Sequence, residues 1–199
     1  MKTISIRFFF RALIADIPLE EIVDELRDFD EALRAIVEKH LSIFGLWSIL
    51  NLAVSLPGLF LSQGWLWYFF LMNCCWALIN YGVLLFIFNH VYLYRFVTGN
   101  PFTRFRVQRH VEKMMLFNIG LDVAYIFAGL YFRQLSYTTD GIISTLWSGF
   151  GVSVIMQGTF LFCQDNVIHW LHYKNFYKAR PFLEQTLDEL IRERSTVDG

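Results

Sequence analysis

Apolar positions along this chain fall into four long runs, with the charged positions gathered between and beyond them. No Asp, Glu, Lys or Arg occurs between Lys39 and Arg95, a gap of 55 residues. One crossing of a ~30 Å hydrocarbon layer needs ~20 apolar residues, so the gap has room for two crossings and a tight turn. The stretch "SLPGLFLSQGW" supplies the turn: Pro57, Gly58 and Gly64 break the pattern, and Trp65 and Trp67 suit an interface. A third run, Met114 to Phe132, carries a single acid, Asp122, and a fourth, Gly141 to Gln164, carries no charge. The pattern predicts four spanning helices at about 41–61, 66–94, 114–133 and 142–168. A helix packed in a soluble core keeps a polar face, and these keep almost none.

The flanks read differently. "DIPLEEIVDELRDFDEALRAIVEKH" has Asp16 as a cap, Pro18 in the first turn, and apolar residues from Leu19 to Val37 recurring every three or four positions. Its outer face is acidic, with eight acids between 20 and 39 against Arg27, Arg34 and Lys39. Anionic lipid would repel that face. The apolar stripe is therefore expected to pack on protein: the amphipathic stretch 181–194, the basic 95–113 segment, or a second subunit. Residues 1–13, with Lys2, Arg7, Arg11 and Phe8–Phe10, suit an interfacial anchor. The expected fold class is thus all-α: an integral membrane four-helix bundle with cytoplasmic amphipathic helices at both ends. Its parts are 1–40 (basic-aromatic segment and acidic helix), 41–172 (the bundle) and 173–199 (C-terminal helix and tail).

Composition agrees with the pattern. The 199 residues are 55% apolar and 18% charged, with a mean hydropathy of +0.41, too apolar for an ordinary soluble domain. Basic residues set the orientation. Arg95, Arg104, Arg106, Arg109 and Lys113 link spans two and three, Lys174, Lys178 and Arg180 follow span four, and the other side offers Arg133. Both termini are expected in the cytoplasm and the chain in the inner membrane. Arg7 and Arg11 interrupt the N-terminal apolar stretch, which does not read as a cleaved signal. Cys74, Cys75 and Cys163 lie within spans and read as buried thiols.

Polar residues inside the spans carry the candidate chemistry. Offsets of three and seven place Asn73, Trp76 and Asn80 on one face of span two; Asn118, Asp122, Tyr125 and Gly129 form a similar stripe on span three. Span four adds Gln157 and span one Asn51. Amides between membrane helices commonly act as packing glue. Asp122 differs, because no span holds a Lys or Arg to pair with it. It must be protonated, hydrated or holding a cation. The candidate ligand-binding set is therefore Asp122, Asn118, Tyr125, Asn73, Trp76, Asn80, Gln157 and Asn51.

Further along, "DNVIHWLH" sets Asp165, His169 and His172 at i, i+4 and i+7, a minor metal candidate without HExxH or CxxC support. A weak internal duplication aligns "LNLAVSLPGLFL" with "LDVAYIFAGLYF", as two hairpins of like orientation would. There is no Gly-rich phosphate loop, GxSxG elbow or paired-carboxylate motif, so no catalytic residue and no cofactor is assigned. The basic 95–113 segment reads as an orientation signal, and nucleic-acid binding is unsupported.

The stretches "FFLMNCCWALIN", "NIGLDVAYIFAGLYF" and "GFGVSVIMQGTFLFCQD" resemble an uncharacterised bacterial family of small four-span membrane proteins, a domain of unknown function. The resemblance rests on Met72, Asn73, Trp76 and Asn80; on Asn118, Gly120, Leu121, Asp122, Tyr125 and Gly129; and on Gly149, Gly151, Gln157, Gly158 and Asp165. It covers about 41–170 and departs at Phe70-Leu71, where the family pattern has a His. It implies that the interior polar set is a family trait and brings no activity with it.

Two expectations follow. In one, the polar interior around Asp122 binds a small ligand, a lipid headgroup or a proton. In the other, the chain is a structural or assembly subunit: its interior polar residues set helix packing, and the acidic helix, within 18–40, docks a protein partner or a second copy.

Overall fold

A computed structural model of the chain describes residues 27–89 and 101–185. The basic-aromatic segment 1–13, the start of the acidic helix, His90, Arg95 and the tail beyond 185 lie outside the described residues. Within them the architecture is all-helical: α1 (Arg27–Leu61), α2 (Trp65–Phe86), α3 (Pro101–Thr138) and α4 (Gly141–Phe176). A 3₁₀ turn at Tyr177–Ala179 follows, and the chain returns to helix through Gln185. All four helices are long and apolar enough to cross a membrane.

Three helices, α1, α3 and α4, run beyond the spans predicted within them, and α2 falls short of its predicted 66–94. The acidic helix and the first span are one uninterrupted α1. The linking segment expected before span three is helical from Pro101, so its basic residues lie along the first turns of α3. Polar residues at 101–113 lower the hydropathy without breaking the helix, because none of them denies the backbone its hydrogen bonds.

The first turn is also tighter than predicted. The helix passes through Pro57, which forfeits one backbone bond close to the helix end. Ser62 then closes α1 by donating both its N–H and its hydroxyl to the Gly58 carbonyl, at 3.0 and 2.6 Å. Gly64, at φ 62°, makes the reversal. At the second turn Ser136, Thr138 and Thr139 donate hydroxyls to the last carbonyls of α3, and Gly141 adopts φ 64°. Both turns therefore lie at one end of the bundle, the turn end.

Glycines hold the helices at close range. A Cβ added to Gly129 would stand 2.8 Å from the Gly151 carbonyl oxygen, and one added to Gly149 would stand 2.3 Å from that of Trp65. Backbones of α3 and α4, and of α2 and α4, therefore meet directly near the turn end. Arg133 of α3 donates to Ser148 of α4 and to Tyr137 there.

At the opposite, chain-terminal end the contacts are made by side chains. Phe29, Leu33, Ile36 and Val37 of α1 are buried with Phe105, Val111 and Met115 of α3, and Ile168 of α4. The apolar stripe of the acidic helix, over its described residues, is thus covered by the chain's own α3 and α4. The outer faces are apolar in turn: Phe60, Phe127 and Ile142 are each more than half exposed. A polar-inside, apolar-outside cross-section is what a hydrocarbon solvent selects.

Candidate functional site

The interior polar groups separate into layers. In the first, Gln157 of α4 is fully buried and completely engaged. Its Nε2 donates to Asn51 Oδ1 of α1 and to Asn73 Oδ1 of α2, both at 2.7 Å. Its Oε1 accepts from Trp47 Nε1 at 2.8 Å. Ser153 Oγ adds a bond to Asn73 Oδ1 at 2.9 Å, and Asn51 Nδ2 returns to the Trp47 carbonyl. Trp47 is held for this by stacking on Phe160, with centroids 3.8 Å apart. A network satisfied from three helices fixes their relative register.

One or two turns nearer the chain-terminal end lies a cavity of about 220 Å³. His40 and Phe44 come to it from α1, Trp76, Ile79, Asn80 and Val83 from α2, Asn118, Leu121, Asp122 and Tyr125 from α3, and Leu161 and Asp165 from α4. Helical spacing explains the set: Trp76, Asn80 and Val83 share one face of α2, as do Asn118, Asp122 and Tyr125 on α3. The Asn118 side chain stands close to Asp165, and the Asp122 and Asp165 carboxyls are near enough to interact. No Lys or Arg lines the space.

Unlike the amide layer, the cavity holds polar atoms with no partner. Asp122 Oδ2, Asn80 Nδ2 and Trp76 Nε1 are all buried and bonded to no described group. Asp122 is 3% exposed and Asn80 2%. An orphaned buried polar atom costs about 1–3 kcal/mol, more if charged, so three around one void mark a place where something else can bond.

Below the cavity is a third layer. Gln108 Nε2 of α3 donates to the His172 carbonyl at 2.6 Å and to Glu112. Asn175 Nδ2 donates to the Phe29 carbonyl at 3.1 Å and to Gln108 Oε1. Arg109 pairs with Glu112 at 2.7 Å and lies over the Phe176 ring. This layer ties α1, α3 and α4.

The eight candidate ligand-binding residues are therefore divided. Asn51, Asn73 and Gln157 bond one another in the register layer, while Asp122, Asn118, Tyr125, Trp76 and Asn80 surround the cavity. Of the minor metal candidates, Asp165 lines the cavity, and His172 is buried with neither ring nitrogen partnered. Among the described residues no three His, Cys, Asp or Glu gather as metal ligands. Sequence reasoning missed His40, Trp47 and Ser153. His40 precedes the first apolar run by one residue and so looks interfacial. A Trp and a Ser in an apolar span give no sign of being hydrogen-bonded.

No curated protein and no solved structure matches the chain. A family model does match, over residues 43–166, the stretch that contains the register layer, the cavity lining apart from His40, and both hairpin turns. The chain belongs to the family of unknown function DUF6992.

Proposed function

We propose that this is a multi-pass membrane protein of the inner membrane, both termini cytoplasmic, whose cavity between the four helices holds a small polar ligand or a proton at Asp122. One observation carries the reading: three buried polar atoms, on Asp122, Asn80 and Trp76, border a single void and have no partner in the described chain. A carboxyl pair in a low-dielectric interior, with no Lys or Arg lining the same space, is stabilised by protonation or by a compensating guest. The volume suits a small guest, below the 300–1,000 Å³ usual for drug-sized ligands.

The test is isotope-edited infrared spectroscopy of the full chain in lipid nanodiscs, comparing wild type with Asp122→Asn. A carboxyl band that responds to pH or to cavity occupancy, and disappears in the variant, is the expected result. A band indifferent to both would overturn the reading.

The saturated Asn51–Gln157–Asn73 network favours a second role for the other polar residues, that of setting helix packing. In an assembly subunit the outward Asp28, Glu31 and Lys39 of α1 would be the surface offered to a partner or second copy.

A further inference from the structure

The lining of the cavity narrows the chemistry of its guest. Beside the two carboxyls stand the rings of Trp76, Tyr125 and Phe44, and the remaining wall is mainly aliphatic. Phosphate or carboxylate guests would meet Asp122 and Asp165 with like charge. A metal cation is less suited, since among the described residues no three His, Cys, Asp or Glu gather as metal ligands. An ammonium group answers the acidic side of the site: it donates to carboxylate oxygens and is attracted to aromatic faces, while the Asn80 and Trp76 N–H donors need a separate acceptor.

The position of the cavity indicates a route. Ile79 and Val83 of α2 and Leu121 of α3 line it and are also 56%, 40% and 37% exposed. The space therefore reaches the outer face of the bundle at the α2–α3 seam. These two helices have few contacts with each other; Trp76 meets Tyr125 edge-on across the seam, with centroids 5.1 Å apart. In a bilayer that face looks into hydrocarbon, so an apolar body has direct access.

We infer that the cavity binds a small amphiphilic ammonium compound, admitted between α2 and α3, with its cationic head on Asp122 and Asp165 and its hydrocarbon along Ile79, Val83 and Leu161. This rests on the reading of the cavity as a ligand site. A monocation compensates one carboxylate, and the other keeps a proton, as close carboxyl pairs do. At ~30 Å³ per water-sized group, 220 Å³ holds roughly seven such groups, the size of n-hexylamine.

The experiment titrates n-hexylamine at neutral pH, by calorimetry, into the full chain in phosphatidylglycerol nanodiscs. One saturable site is expected. Hexan-1-ol, equal in size but uncharged, should bind about tenfold more weakly or worse, as should hexylammonium to Asp122→Asn or Asp165→Asn. Equal affinity for the alcohol and the amine would overturn the inference, since the cavity would then select only apolar shape. Ile79→Trp, on the half-exposed rim, touches no interior polar group and should lower affinity by about tenfold if the seam is the route. Unchanged affinity there would refute the seam. Adding phosphatidylethanolamine identifies the source: competition assigns the ammonium to a lipid headgroup, and none assigns it to a free amine. If hexylammonium fails to bind while the pH-responsive carboxyl band still depends on Asp122, this inference falls and the proton or polar-ligand reading stands. If neither is seen, both fall.

Discussion

The indole of Trp76 stands edge-on to the ring of Tyr125, with centroids 5.1 Å apart and planes at 76°, and this pair spans the seam between α2 and α3 beside the cavity. Both residues line the cavity, so one contact helps join the helices and shapes the space they enclose. Aromatic pairs of this geometry contribute about 0.5–1.5 kcal/mol beyond burial. A double-mutant cycle of Trp76→Leu and Tyr125→Leu should return a coupling energy in that range, read from unfolding in mixed micelles. Additive effects would show that the rings act independently.

Gln157 bonds three other side chains directly, and Gln157→Leu removes all three bonds at once. With interhelical bonds in membranes averaging ~0.6 and reaching ~1.7 kcal/mol, the loss should be about 2 kcal/mol or more. The orphaned Asn51 oxygen and Trp47 N–H add to it, while Asn73 Oδ1 keeps its bond from Ser153. Asn51→Leu should cost less, since it removes one interhelical bond. Equal costs for the two variants would contradict the hub assignment. Gln157→Glu should be worse at high pH than at low pH, because an ionised carboxylate would face two carbonyl oxygens and only its protonated form can donate to one.

Two pairs of glycines should behave in opposite ways. An alanine at Gly129 or Gly151 would push its Cβ to 2.8 Å from the facing backbone oxygen, forcing α3 from α4 at a cost of about 1–3 kcal/mol. Gly82 and Gly120 also lie within helices, yet a Cβ there meets nothing within 4 Å. Alanine at either should be neutral or stabilise by roughly 0.5–1 kcal/mol, through helix propensity alone. Thermal unfolding of the four variants makes the comparison, and a stable Gly151→Ala would contradict the close approach.

At the chain-terminal end, Asn175 reaches from α4 to the Phe29 carbonyl and to Gln108. Asn175→Leu should loosen the start of α1, at a cost of about 1–3 kcal/mol for the partners left unbonded. Hydrogen exchange should locate the change in residues 27–40, with α2 unaffected. Uniform deprotection of all four helices would mean that this layer carries global stability instead.

Thiol chemistry tests the cross-section. Cys74 is buried as expected, but Cys75 and Cys163, expected to be buried too, are exposed on the outer, apolar surface of the bundle. If that surface faces lipid, a membrane-impermeant maleimide should leave all three unlabelled in intact membranes and react with a cysteine placed at Gln63, in the first turn. Labelling of Cys75 from water would contradict a lipid-facing α2.

Much of this molecule follows from the sequence alone. Apolar runs long enough for four crossings, interrupted by the single charge of Asp122, favour helices, because a helix satisfies its own backbone in hydrocarbon. The polar stripes were legible too, since the 3.6-residue period places Asn118, Asp122 and Tyr125 on one face whatever they pack against. The boundaries were less so. Charged side chains at 27–40 and 101–113 mark a change of solvent, and a helix can continue through that change.

Only tertiary structure could divide the stripes. Asn73 and Asn80 are one face of one helix, chemically identical and seven residues apart. The first meets Gln157 and is fixed in a network; the second borders a cavity with its Nδ2 unpartnered. What separates them is which groups the other three helices bring to each level, a matter of rotation and depth between helices that no single helix encodes. The same holds for Asp122 and Asp165, 43 positions apart in the chain and brought into one space by the antiparallel packing of α3 and α4.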